Sequence, residues 1–298
     1  MRAFVNGAGE LRALWRLLLF VAVCIVVIGL VAGLQPLLQR LTGLSAAAAG
    51  SAGALAAALA GGWLLLVTID RRSPGALGFA FTGAVPRELA LGLAITGGAL
   101  AVCVAALALA GEVRWTRDAG SAGGYAWALV RDLGLWGVAA AAEESLFRGY
   151  PFQVLVQGIG AAPATLLLSA GFALAHRNNP NVDALALLNI FLAGVLLSLA
   201  YLRTRSLWFA TAVHVGWNWT MGTVLALPVS GLVLVNTPLY DAHAAGPAWL
   251  TGGSFGPEGG VVASVAFSLA LVVVAFAPLK EAARMRELRP LVDSRLPR

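Results

Sequence analysis

Glu143 and Glu144 stand side by side in the apolar run AAAAEESLFRGY, and Arg148 follows four residues after Glu144. Adjacent carboxylates at membrane depth are costly, and ionisable groups in such runs mark functional sites by default. On a helix Glu144 and Arg148 share a face at i, i+4 and can form an internal ion pair. Glu143 is turned away by about 100° and has no such local partner, which leaves it available as a general base or acid. His176 in FALAH and His214 in HVGWN also lie in apolar runs, with Phe172 four residues before the first and Asn218 four residues after the second. His214 and Asn218 can donate hydrogen bonds from one helix face into a cavity, as a tetrahedral oxyanion requires. Each piece alone has a plainer reading: a buried Glu–Arg pair that fixes helix packing, a histidine at a helix end, an interhelical hydrogen bond. Together they point to hydrolytic chemistry inside a bilayer.

The rest of the chain supplies that bilayer setting. Its 298 residues are 59% hydrophobic and 11% charged, with mean hydropathy +0.84, whereas a soluble domain carries about 25% charged residues. A span needs about 20 apolar residues, and eight segments qualify as candidates: 13–34, 46–69, 88–111, 126–147, 161–176, 184–203, 207–226 and 260–279. Each must be helical, because backbone groups in lipid need internal partners. The expectation is an all-α, polytopic membrane protein of about eight transmembrane helices around a central active-site cavity. Its parts are N-terminal helices over 1–125, a catalytic core over 126–226, and an outer loop, last span and charged tail over 227–298. Basic residues gather at Arg12 and Arg16, Arg71, Arg72 and Arg87, Arg203 and Arg205, and from Lys280 onward, and none falls in 227–259. The positive-inside rule then places both termini in the cytoplasm, and the net charge of +6 reflects topology and not nucleic-acid binding. Cys24 and Cys103 sit in apolar runs and read as packed thiols. His243 reads as a solvated loop histidine and Asn189 as a helix–helix hydrogen bond.

Depth poses a difficulty. Ordinary spans would put Glu143 near the inner end of the fourth helix and His176 at the outer end of the fifth. A fourth helix continuing to about Gln157, kinked at Pro151, would bring Glu143 to its middle, and a short fifth segment would stop His176 at mid-depth.

The three motifs in this order, Glu143-Glu144-x-x-x-Arg148, Phe172-x-x-x-His176 and His214-x-x-x-Asn218, resemble those of the CPBP family of intramembrane proteases, also called the Abi or CAAX-protease family. That family includes type II CAAX prenyl endopeptidases and bacterial members linked to bacteriocin self-immunity. The FRGY sequence, Gly194 and the RTRSLW turn are similar as well, and the likeness spans roughly 126–222. The resemblance implies that Glu143 deprotonates the attacking water, His176 orients it, and His214 and Asn218 hold the oxyanion. It implies that Glu144, paired to Arg148, supports the site, and that Phe172 packs the cavity with a weaker claim to substrate contact. Implied partners are the bilayer and a peptide or protein substrate, lipidated or membrane-anchored, in a bacterial inner membrane. No HExxH occurs, so the preferred reading uses no cofactor; the alternative is zinc on Glu143, His176 and His214. Competing readings are a non-catalytic scaffold or self-immunity protein on the same fold, and a proton-coupled transporter.

Overall fold

The computed structural model describes residues 4, 5 and 10–293; the terminal Arg2, Arg295 and Arg298 lie outside them. All eight apolar segments are helical. Helices α1 (Ala13–Thr42), α2 (Ala46–Thr68), α3 (Val85–Leu109), α4 (Ala122–Phe147), α5 (Tyr150–Ile159), α6 (Ala161–Ala175), α7 (Ala184–Thr204) and α8 (Leu207–Trp219) follow in order. A wide π-helical turn, Thr220–Val224, extends α8. The single turn α9 (Ala248–Thr251), the apolar α10 (Val261–Phe276) and the short α11 (Ala283–Leu288) complete the set. Among the described residues four helices are long and apolar enough to cross a membrane: Ala13–Leu41, Ala46–Thr68, Val85–Leu109 and Ala184–Thr204. Helices α6 and α10 are apolar but shorter.

The described chain is all-helical apart from one short antiparallel ribbon, in which β1 (Val113–Arg117) pairs with β2 (Tyr240–Ala244), Trp115 opposite Ala242. It ties the middle of the 227–259 loop region to the segment that follows α3, and His243 lies on it, against the Thr116 hydroxyl. One expectation needs correction: α4 does not run on through a kink at Pro151. It ends at Phe147, Arg148 caps it, and Gly149 adopts φ −73°, ψ −128° before α5 begins. Pro151 occupies the first turn of α5, where its missing N–H costs nothing and its fixed φ favours helix initiation. The proline starts a helix, so the break falls before it.

Helix α5 nevertheless continues the path of α4. Arg148 donates to the Gly194 carbonyl near the middle of α7, whereas Gly158 reaches Ala13 at the start of α1. Arg148, at the end of α4, is therefore level with the middle of α7. Arg16 binds Asp70 at 2.6 Å and donates to Tyr150 and Gln157, and Gln153 donates to the Ala76 and Leu77 carbonyls. These bonds fasten α5 to what we call the connector end, holding residues 69–84 and the tail. The opposite end carries the ribbon.

Small residues let the site-bearing helices approach closely, a packing mode suited to membranes. Between α3 and α8, a Cβ on Gly92 would lie 2.5 Å from the Ala212 Cβ, and one on Gly216 would lie 2.6 Å from the Thr96 hydroxyl. That hydroxyl donates to the Val213 carbonyl. Between α6 and α7, a Cβ on Gly194 would meet Ser169 at 2.8 Å. Close approach here fixes the depth and rotation of the helices carrying His176 and His214.

Candidate active site

The sequence singled out Glu143, Glu144, Arg148, Phe172, His176, His214 and Asn218, and the fold gathers all seven. Glu144 and Arg148 are fully buried and 3.3 Å apart. The guanidinium is held from two further sides, donating to the Gly194 carbonyl at 3.1 Å and lying 4.5 Å from the Phe172 ring centroid. Arginine suits this position because its planar cation makes both directed hydrogen bonds and a face contact with an aromatic ring.

Glu144 also meets the second histidine: its Oε1 lies 2.8 Å from His214 Nδ1. A carboxylate accepts, so Nδ1 carries the proton. His214 Nε2 lies 3.9 Å from Glu143 Oε2, beyond direct hydrogen-bond reach and close to what a bridging atom would span. Glu144 is engaged by Arg148 and His214, while Glu143 has 37% of its side chain exposed to the cavity.

His176 caps α6, and its Nδ1 lies 2.8 Å from the Phe172 carbonyl. A carbonyl only accepts, so Nδ1 carries a proton and donates it, which leaves Nε2 on the cavity side of the ring. The Phe172 ring stands edge-on to both imidazoles, 4.9 Å from His176 and 6.1 Å from His214. Phe172 thus packs the floor that Arg148 and the two histidines share.

Glu143, His176, His214 and Asn218 line one cavity of about 380 Å³. Among the described residues no three His, Cys, Asp or Glu side chains converge to hold a metal ion.

One cavity residue went unread in the sequence. Glu258, from the Gly- and Pro-rich loop, is 5% exposed and lines the cavity. It accepts from the Trp217 indole at 2.9 Å and from both the amide and the hydroxyl of Ser230. Asn179 donates to the Ser230 carbonyl from the other side. Asn189, expected to bridge helices, donates to the Glu258 and Gly260 carbonyls and accepts from Ser264 of α10. These bonds draw the loop into the wall of the cavity. A lone acid between glycines and an apolar span was the available signal.

A family model described as Type II CAAX prenyl endopeptidase Rce1-like matches residues 125–220. That segment, about a third of the chain, is similar to this family. No curated protein and no solved structure matches the chain. All seven motif residues fall inside the Rce1-like segment, whereas Glu258, α1, α2, α3 and the ribbon lie outside it. The likeness supports, at the level of the family, a membrane endopeptidase of the CAAX-protease type, and the apolar helices agree with an integral membrane protein.

Proposed function

We propose that this chain hydrolyses a peptide bond of a membrane-associated substrate with a water activated by Glu143, without a metal. The observation that carries the reading is the contrast between the two glutamates. Glu144 is buried and committed to Arg148 and His214, while Glu143 faces the cavity with His176 and Asn218 on its walls. Glu143 takes a proton from water as the oxygen adds to the substrate carbonyl carbon. The second water O–H stays intact and donates a hydrogen bond to His176 Nε2, which orients the attack. The carbonyl oxygen becomes an oxyanion facing His214 and Asn218. In that role His214 carries both protons, Nδ1–H on Glu144 and Nε2–H on the oxyanion. The C–N bond then breaks, and the leaving amine recovers its proton from Glu143. Arg148 and Phe172 position Glu144 and the imidazoles and do not touch the reacting atoms.

The eight apolar helical segments, α4 and α5 counted as one broken path, cross the bilayer, with the connector end and both termini in the cytoplasm of a bacterial inner membrane. Labelling of single cysteines placed at Ser73 and Ser254, on opposite ends, tests that orientation. The substrate is peptide or protein, lipidated or membrane-anchored. Purified protein incubated with quenched fluorescent peptides, lipidated CAAX-type peptides included, tests the activity. Cleavage is expected to be insensitive to a strong chelator and abolished by Glu143→Gln. Equal cleavage by Glu143→Gln refutes the assigned base, and a chelator effect reversed by zinc refutes the metal-free mechanism.

A further inference from the structure

The run GLVLVNT at 231–237 has the composition of a strand: it is rich in β-branched and apolar residues and holds no charge and no proline. The fold gives it a turn at one end and no partner strand beyond. Ser230 and Gly231 take φ of 49° and 78°, a two-residue turn that pairs Val229 with Leu232. The amide of each donates to the carbonyl of the other at 2.9 Å. The turn is pinned, because the Gly231 amide donates to the Phe255 carbonyl and Glu258 holds Ser230. At the far end the Thr237 hydroxyl donates to the Gly222 carbonyl of the π-helical turn. Between these anchors Leu232 and Leu234 line the catalytic cavity, whereas Val233 does not and is 81% exposed. That alternation is the one an extended strand imposes, with successive side chains on opposite faces.

Among the described residues the amides and carbonyls of Val233 and Leu234 have no hydrogen-bond partner. In an antiparallel ladder both groups of one residue point to the same side, and successive residues alternate. Leu232 bonds back to Val229, so Val233 offers its N–H and C=O at the opposite, open edge. Natural proteins blunt such edges with lysine, proline or a covering element, and residues 232–235 carry neither residue. Hydrocarbon offers backbone groups no partner, so lipid does not satisfy this edge. A small cavity behind the segment, of about 70 Å³, is well below the roughly 300–1,000 Å³ of ligand pockets. A partner therefore lies on the exposed side, where the segment is continuous with the cavity of Glu143 and His214. An extended peptide meets both demands: its backbone bonds an open edge, and its alternate side chains enter pockets. We propose that residues 232–234 are the docking strand for the substrate. The chain to be cut pairs with the Val233 N–H and C=O to one side of the scissile bond and sets alternate side chains against Leu232 and Leu234. The identity of the occupant rests on the peptidase reading; the open edge does not.

The test uses the full chain in nanodiscs, with Glu143→Gln so that a bound peptide stays intact. The probe is a fluorescein-labelled, farnesylated CAAX-type peptide, and its binding is read by anisotropy with empty nanodiscs subtracted. Val233→Pro deletes the N–H at the open edge. That N–H is unpaired in the free protein, so Tm should stay unchanged while binding weakens about tenfold. Val233→Ala keeps the N–H and should bind within about twofold of the parent. N-methylation along the probe backbone should cost affinity at every second residue, a pattern that general apolar contact does not produce. Equal binding by Val233→Pro and Val233→Ala, N-methyl losses without that alternation, or no binding above empty nanodiscs overturns the proposal. So does a chain that is dimeric until Val233→Pro makes it monomeric, since the edge then pairs with a second copy. Cleavage by the native chain that is indifferent to Val233→Pro sinks the docking strand alone. Binding that depends on Val233 without cleavage by the native chain sinks the peptidase reading and supports the strand.

Discussion

The α4–α8 pair presents two faces that share a backbone and little else. The front holds Glu143, Glu144, Arg148 and His214 around a cavity with polar walls. The back, two residues from Glu143 along α4 at Ala141 and one residue from His214 along α8 at Val215, is a nearly apolar groove. Successive residues on a helix point about 100° apart, so one sequence step is enough to pass from charge to an apolar surface. The front is held by the bonds of Glu144 and Arg148 to each other, to His214 and to Gly194. The back is open because glycines leave it unfilled.

The largest effect is expected where the front does chemistry. Glu143→Gln keeps size and polarity and removes the base, so kcat should fall by about 10²–10⁴ with Tm unchanged, read by peptide cleavage and thermal unfolding in detergent. A small change in rate would erase the functional distinction between the glutamates. Next is the ion pair that sets their difference. Arg148→Met leaves the Glu144 carboxylate buried with its cationic partner gone, which should cost about 3–5 kcal/mol of stability. Glu144→Gln added to Arg148→Met should recover part of that loss. A double variant no more stable than Arg148→Met alone would mean that Arg148 stabilises through Gly194 and Phe172 and not through charge.

Glu258 sharpens the comparison from outside the Rce1-like segment. Glu258→Ala orphans the Trp217 indole and the Ser230 amide at the cavity wall, a loss of about 1–3 kcal/mol for each buried group left unpaired. Because the loop forms that wall, KM for a peptide should rise more than kcat falls. An effect confined to kcat would instead place Glu258 among the reacting groups.

The placement of the motif residues is legible because it is local. The i, i+4 spacings of Glu144–Arg148, Phe172–His176 and His214–Asn218 each survive in the structure, since helices in a bilayer are obligatory and their spacing dictates which residues share a face. The apolar runs were legible for the same reason. What escaped the sequence depends on contacts between distant segments. The β1–β2 ribbon joins strands more than 120 residues apart, and Glu258 matters only once its loop folds onto Trp217. The break at Gly149 was misplaced to Pro151 because proline was read as an interruption, when its position in the first turn makes it a beginning. Arg148 shows both sides: its pairing to Glu144 was plain from spacing, and its bond to Gly194 of α7 was not.

The smallest expected effect is also the most direct test of the two faces. Ala139 lines the catalytic cavity and Gly137 lines the groove. Leucine at either position adds similar bulk to the same helix, and each site has space for it on its own side. Ala139→Leu intrudes where a substrate chain must lie and should raise KM about tenfold, the equivalent of roughly 1.4 kcal/mol. Gly137→Leu fills the groove and replaces a poor helix former with a good one, so kcat and KM should stay within about twofold, a change below roughly 0.5 kcal/mol. Should Gly137→Leu depress kcat as strongly as Ala139→Leu raises KM, the two faces are mechanically coupled through the shared backbone of α4.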